Sequence, residues 1–226
     1  MAGYNGYGVI WDVDGTLVDT GDLHFDAWVE LAKELAKPFT RADFAATFGR
    51  RNPEIIRELF GQHYTDQDVA ELGFRKEEFY RAAAQHGINL LPGVQPLLEG
   101  LHAAGFKQAI GSSAPRQNVD LILEMTKTAQ FFEAISSMED TTRGKPDPQV
   151  FQVAAEKLGL SSANCLVLED AVAGVQAAKA GGMKCIAITF VGHHPEALLK
   201  EAGADLVVST LEEVSVQIVR GLFGTS

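Results

Sequence analysis

The run Val9-Ile10-Trp11-Asp12-Val13-Asp14-Gly15-Thr16 ends an apolar segment on two carboxylates and a glycine. Side chains two positions apart on a strand point to the same face, so Asp12 and Asp14 are expected to share one small volume. Like charges that close ionise together only when a cation neutralises them; otherwise one keeps its proton. The pair therefore reads as a metal site, an acid/base pair, or both. Asp-x-Asp-Gly also builds ordinary turns, in which Asp accepts backbone hydrogen bonds and Gly takes positive φ, so the partners decide.

Three later segments supply partners. Ser112 and Ser113 follow the apolar run Phe106 to Gly111, Glu169 and Asp170 follow Cys165 to Leu168, and Lys145 lies in the loop after the short strand-like stretch Phe132 to Ser136. Each has an ordinary alternative: a serine capping a helix near Pro115, a solvated loop lysine, and acidic residues favouring the positive end of the next helix. Their joint placement argues otherwise, because ligands of an open parallel sheet bind beyond the carboxyl ends of its strands. Carboxylates, hydroxyls, one ammonium and helix N-termini in one crevice describe a magnesium and phosphate site.

The elements that would position these groups alternate from about Leu90 onward. Lys184 to Thr189 and Asp205 to Val208 also read as buried strands. Helical periodicity appears over Val94 to Ala104, Gln117 to Thr126, Pro148 to Leu158, Ala171 to Ala180 and Pro195 to Ala202. Gly105, Gly159, Gly181 and Gly203 follow four of these stretches as C-terminal caps would. The pattern predicts an α/β fold with a doubly wound parallel sheet. Residues 20–89 break the rhythm, with helical signals at Leu23 to Ala36, Arg41 to Phe48, Pro53 to Phe60 and Asp66 to Gln85. The expected organisation is a core of residues 1–19 and 90–226 with a helical insert, 20–89, whose junctions lie close together. That insert is either a hinged cap or a subdomain that enlarges the core.

Composition narrows the class. The chain has 226 residues, 46% hydrophobic and 22% charged, enough for a substantial core. It has no run of 18 apolar residues and nothing resembling a signal peptide at its N-terminus, which predicts a soluble, cytoplasmic protein. Nineteen basic against thirty acidic residues give a net charge of −11, which disfavours nucleic-acid and anionic-membrane partners. Cys165 and Cys185 sit in apolar strand-like runs and read as small buried groups. No Gly-x-Gly-x-x-Gly follows the first strand and no P-loop is present, which argues against a dinucleotide-dependent dehydrogenase.

In order, Asp12-Val13-Asp14-Gly15-Thr16, Ser112, Lys145-Pro146-Asp147-Pro148 and Leu168-Glu169-Asp170 with Ala173-Gly174 resemble the four motifs of the haloacid dehalogenase superfamily. The likeness is to the capped branch that contains β-phosphoglucomutase and many sugar-phosphate phosphatases, and it spans nearly the whole chain. It implies a Rossmann-like core with a helical cap inserted after the first motif. It further implies Asp12 as the nucleophile that becomes an aspartyl phosphate and Asp14 as general acid and base. Mg2+ would be held by a carboxylate oxygen of Asp12, the backbone carbonyl of Asp14 and Asp170, with Glu169 as an indirect or water-mediated partner. Ser112, Ser113 and Lys145 would hold the phosphoryl oxygens.

The cap residues of the resemblance are Thr20, His24 and Trp28 with Arg75-Lys76, and a His24–Lys76 pair could position a sugar hydroxyl. The mutases of the branch carry a Lys-Gly-x-x-Arg-like loop for a second phosphate. This chain reads Phe48-Gly49-Arg50-Arg51-Asn52-Pro53, so Arg50 or Arg51 is the candidate there, or an exposed helix-start residue. The expected activity is a magnesium-dependent phosphatase acting on a small phosphorylated metabolite, with a β-phosphoglucomutase-like phosphomutase as the alternative. A noncatalytic module of the same fold fits poorly, because all four motifs keep competent side chains. Nothing in the sequence demands more than a monomer.

Overall fold

A computed structural model describes residues 6–224; the first five and last two residues assigned above to the core lie outside the described residues. Six parallel strands form one sheet in the order β3-β2-β1-β4-β5-β6. They are β1 (Gly8–Trp11), β2 (Lys107–Gly111), β3 (Ala134–Ser136), β4 (Cys165–Glu169), β5 (Lys184–Ile188) and β6 (Leu206–Val208). The first strand lies at the centre, with Ile10 beside Ala109 on one side and Val167 on the other. The order in which the chain adds strands reverses there, and at such a switch point two neighbouring loops part to leave a crevice.

Strand alternation separates two apolar layers. Val9, Trp11, Leu166 and Leu168 pack with Leu98 and Leu101 of α5 (Val94–Ala103), Val119 and Ile122 of α6 (Arg116–Thr126) and Val219 of a C-terminal helix. Ile10, Cys165, Val167 and Cys185 face the other way, onto Phe151 and Ala154 of α7 (Gln149–Lys157), Val175 and Ala178 of α8 (Val172–Ala180) and Leu199 of α9 (Glu196–Glu201). Both cysteines are free and buried, as expected of small apolar groups. One buried polar pair crosses the first layer: Trp11 Nε1 donates to Gln108 Oε1 at 3.0 Å, and Gln108 Nε2 to the Leu98 carbonyl at 3.1 Å.

Between β1 and α5 the described chain is helical. It forms α1 (Gly21–Glu34), α2 (Arg41–Thr47), α3 (Asn52–Ile55) and α4 (Asp66–Ala84). Capping boxes start α2 (Thr40 with Asp43) and α4 (Thr65 with Asp68). Trp28, Leu31, Phe44, Ile56 and Phe60 form a third apolar cluster. The two junctions run side by side, as the sequence predicts for an insert: Val18 pairs antiparallel with Leu90, and Leu91 N–H donates to the Leu17 carbonyl at 3.0 Å.

The structure corrects several boundaries. Pro53 to Phe60 is not one α-helix, because α3 widens into a π-helical turn over Ile56–Phe60. Phe106, Thr189, Asp205, Phe132 and Glu133 lie outside their strands, and β3 has only three residues at the sheet edge. Gly181 is the C-cap of α8 as expected, and the left-handed residue is the next one, Gly182 (φ +75°); Gly105, Gly159 and Gly203 are themselves left-handed. A C-terminal helix, α10 (Val216–Leu222), adds to the predicted elements; Ser215 caps it and it buries chiefly Val219.

Candidate active site

Asp12 follows the last residue of β1 and stays extended because its N–H donates to the Leu168 carbonyl of β4 at 3.0 Å. The chain then folds tightly, with the amides of Leu17 and Val18 both donating to the Val13 carbonyl. Asp14 therefore reaches the crevice by way of a loop; the strand ends earlier than the alternation argument assumed. Gly15 makes this loop possible: its φ is +93°, and a Cβ there would stand 2.2 Å from Asp170 Oδ2. Both aspartates line a cleft with Ser112 and Ser113 at the end of β2.

The most buried part of the site is a set of three carboxylates around one ammonium. Lys145 Nζ donates to Asp12 Oδ1 and Glu169 Oε1, each at 2.6 Å, with its side chain excluded from solvent. Burial alone would lower the Lys145 pKa, but Asp12 and Glu169 override it and hold the lysine charged. Glu169 Oε2 accepts the Asp170 and Ala171 amides at 2.6 and 2.5 Å, just ahead of α8. Only glycine fits at 174, where a Cβ would lie 1.7 Å from Glu169 Oε1. Glu169 is thus a brace for Lys145 and a helix start, with both oxygens engaged by the protein.

Asp170 differs. Thr16 Oγ1 reaches its Oδ1 at 3.4 Å, while Oδ2 is buried with no hydrogen-bond partner. Burial, then repulsion from Glu169 and Asp12, pushes the Asp170 carboxyl well above its usual value; burial also pushes Asp12 up to about 8 against the pull of Lys145. One lysine does not balance three carboxylates, and an unpaired buried carboxylate oxygen is costly. A hard divalent cation is what such a set accommodates. Among the described residues no cluster of three or more His, Cys, Asp or Glu side chains closes into a metal cage. The donors at hand are Asp12, Asp170 and backbone oxygen, which fit magnesium completed by water and substrate oxygen.

Ser112 is buried, and its Oγ accepts the Ala114 amide at 3.0 Å. The serine-capped helix start considered from sequence is absent: α6 begins at Arg116 with Pro115 at its N-cap and no side-chain cap.

Asp14 is held from the insert. Its Oδ1 accepts Thr20 Oγ1 at 2.5 Å and meets His24 Nε2 at 3.0 Å. Lys76 Nζ lies 2.6 Å from His24 Nδ1. An ammonium only donates, so Nδ1 must accept, which assigns the ring proton to Nε2 and makes it the donor to Asp14. Burial opposes ionisation of Asp14, yet His24 and Thr20 hold its carboxyl below the usual range. Lys76 also donates to Glu77 Oε1 at 2.9 Å, and Glu77 accepts Asn52 Nδ2 (2.6 Å) and Asn118 Nδ2 of α6 (2.5 Å). Tyr80 stacks on the His24 ring with centroids 4.1 Å apart.

The His24–Lys76 pair anticipated from sequence is therefore formed, whereas Glu77, Asn52, Asn118 and Tyr80 were missed. Arg75-Lys76-Glu77-Glu78 is a run of four charges, and the run does not say which two turn inward. Arg50 lines the cleft and pairs with Glu58 at 2.8 Å and Glu54 at 3.9 Å. Arg51 does not line the cleft that Arg50 lines: its Nη2 donates to the Met138 carbonyl at 3.4 Å.

Fold and site together define a doubly wound α/β protein whose strand ends carry a carboxylate-lysine centre beneath a helical insert. The chain belongs to the haloacid dehalogenase-like hydrolase family, whose model matches residues 9–188. It is 33% identical over 218 residues to a β-phosphoglucomutase of Bacillus subtilis, covering 93% of this chain and 92% of that one. It is 27% identical to a phosphorylated carbohydrates phosphatase of Thermotoga maritima, covering 92% and 96%. The crystal structure of a family IA hydrolase from Entamoeba histolytica superposes with a TM-score of 0.86 at 27% identity, covering 97% of this chain and all of that one.

Proposed function

We propose that this chain is a magnesium-dependent phosphatase that hydrolyses a small phosphorylated metabolite, a sugar phosphate, by way of an aspartyl phosphate on Asp12. The observation that carries the reading is the division of labour between the two aspartates. Asp12 is clamped by Lys145 in the core, and Asp14 is held ionised by His24 and Thr20 of the insert. In this reading residues 20–89 act as the cap.

Lys145 holds one oxygen of Asp12 and leaves the other to attack phosphorus. The Asp12 oxygen–phosphorus bond forms as the ester oxygen–phosphorus bond breaks, and the departing alkoxide takes a proton from Asp14 in its acid form. Water then attacks the aspartyl phosphate, Asp14 takes the proton from that water, and phosphate leaves with Asp12 restored. The ionised Asp14 of this structure is the form that serves the second step. Ser112 and Lys145 supply donors for phosphoryl oxygens. Asp12, Asp170 and the Asp14 carbonyl would hold the magnesium, with Glu169 acting indirectly through Lys145. When bound, the ion offsets negative charge on the phosphoryl group.

Hydrolysis is favoured over mutase chemistry by the charge on the insert side of the cleft. Arg50 is matched by Glu54 and Glu58, Lys76 by Glu77, and Arg51 faces the Met138 loop. The cations that line the cleft, Arg50 and Lys76, thus already face carboxylates. The second reading, a β-phosphoglucomutase-like phosphomutase, is supported by the assembled Thr20, His24 and Lys76 and by the Bacillus subtilis relative. A panel of sugar monophosphates with magnesium, with and without trace bisphosphate, separates them: phosphate release supports the phosphatase, and isomerised product supports the mutase. The two buried free thiols suit a reducing cytoplasm, where we place the enzyme.

A further inference from the structure

Glu54, in the single turn of α3, touches neither Asp12 nor Lys145, yet it contacts the peptide that presents Lys145. Its Oε1 accepts the Gly144 N–H at 3.1 Å, and Gly144 immediately precedes Lys145. A Cβ on Gly144 would stand 2.6 Å from Glu54 Oε1 and 2.7 Å from Arg51 Cδ, so α3 packs directly on that peptide. Arg51 Nη2 meets the Met138 carbonyl at the other end of the same loop, at 3.4 Å. The start of α3 therefore grips the loop at Met138 and Gly144. The other Glu54 oxygen faces Arg50 at 3.9 Å, and Arg50 lines the cleft.

We infer that Glu54 is a positioning residue that couples seating of the helical insert to placement of Lys145 against Asp12. Lys145 makes two 2.6 Å contacts on one ammonium, a geometry that tolerates little displacement of its backbone. The Gly144 N–H finds its carboxylate only when α3 is seated, so the loop is held in its working position in that arrangement. Arg50 shares the same carboxylate and lines the cleft, so the cleft wall and that loop are joined through Glu54. The inference rests on the phosphatase reading for its kinetic consequence, though not for the contact itself.

The test uses the full chain with magnesium, an aryl phosphate and the best sugar phosphate of the panel, in wild type, Glu54→Gln, Glu54→Ala, Gly144→Ala and the Glu54→Ala/Gly144→Ala double variant. Loss of the contact in Glu54→Ala should lower kcat about tenfold with little change in KM. Glu54→Gln, which keeps an oxygen acceptor for Gly144, should restore most of that loss, and the double variant should be no slower than the slower single one. Amide exchange across residues 141–147 should quicken in Glu54→Ala and not in Glu54→Gln. Unchanged exchange and kcat in Glu54→Ala, or an equal kcat loss in Glu54→Gln, would overturn the inference. A wild-type chain that releases no phosphate would instead overturn the phosphatase reading, and the exchange comparison would still decide the role of Glu54.

Discussion

Asp14 and Glu77 stand at the two ends of one buried chain, Asp14–His24–Lys76–Glu77, in which each group hydrogen-bonds the next. Removing the first member should act on chemistry. Asp14→Asn, which cannot carry the proton, is expected to lower kcat by about 10²- to 10⁴-fold, with a smaller effect on KM, in steady-state assays. Removing the last member should act on folding. Glu77→Ala leaves the Lys76 ammonium buried without its carboxylate and strips Asn52 and Asn118 of an acceptor, so urea unfolding should show a loss of about 3–5 kcal/mol. The sequence singled out Asp14, His24 and Lys76, because each falls in a recognisable motif. It was silent on Glu77 and Asn118, since their partnership is made across 41 positions and depends on how α4 meets α6.

The strands were legible as elements because a buried parallel strand is a short apolar run, and β1, β4 and β5 are such runs almost end to end, whereas β2 opens on Lys107 and Gln108. Elements whose stability comes from tertiary contact were not. Helix α10 has seven residues and a glycine within it, and the π-helical turn after α3 departs from a periodicity that reads as plain helix. The β4–β5–β6 edge carries its own test. Asp205 accepts the Cys185 amide at 2.8 Å and pairs with Lys179 and Lys184. Burial opposes its ionisation, but these donors win and hold the carboxyl below its usual value. Its folded pKa lies below the unfolded one, so its stabilisation is complete above the unfolded value of about 4 and disappears as the pH falls through the folded value. Asp205→Asn should therefore lower the melting temperature at pH 7 and converge on wild type in acid; an equal loss at both pH values would assign the effect to packing.

At the scale of the whole molecule, the site belongs to neither half alone. The strand ends and loops of the core supply Asp12, Ser112, Lys145, Glu169 and Asp170, and the insert supplies Thr20, His24, Lys76 and Arg50. The junction at Val18 and Leu90 holds the two together, and contacts from Glu54 to Gly144 and from Glu77 to Asn118 cross between them. Alternation of strands and helices predicts this layout, and the ordered motifs identify the strand ends that meet. Arg51 shows the limit: two adjacent arginines at a helix start look alike in sequence, and only the packing of α3 on the 138–144 loop turns one to the cleft and the other away. In the proposed function Asp12 attacks phosphorus with magnesium present. Phosphate release from the best sugar phosphate, measured for wild type and Asp12→Asn with magnesium and with a chelator, tests it most directly. Release is expected from wild type only with magnesium, and none above background from Asp12→Asn; a folded Asp12→Asn variant that turns over near the wild-type rate would rule out Asp12 as the nucleophile.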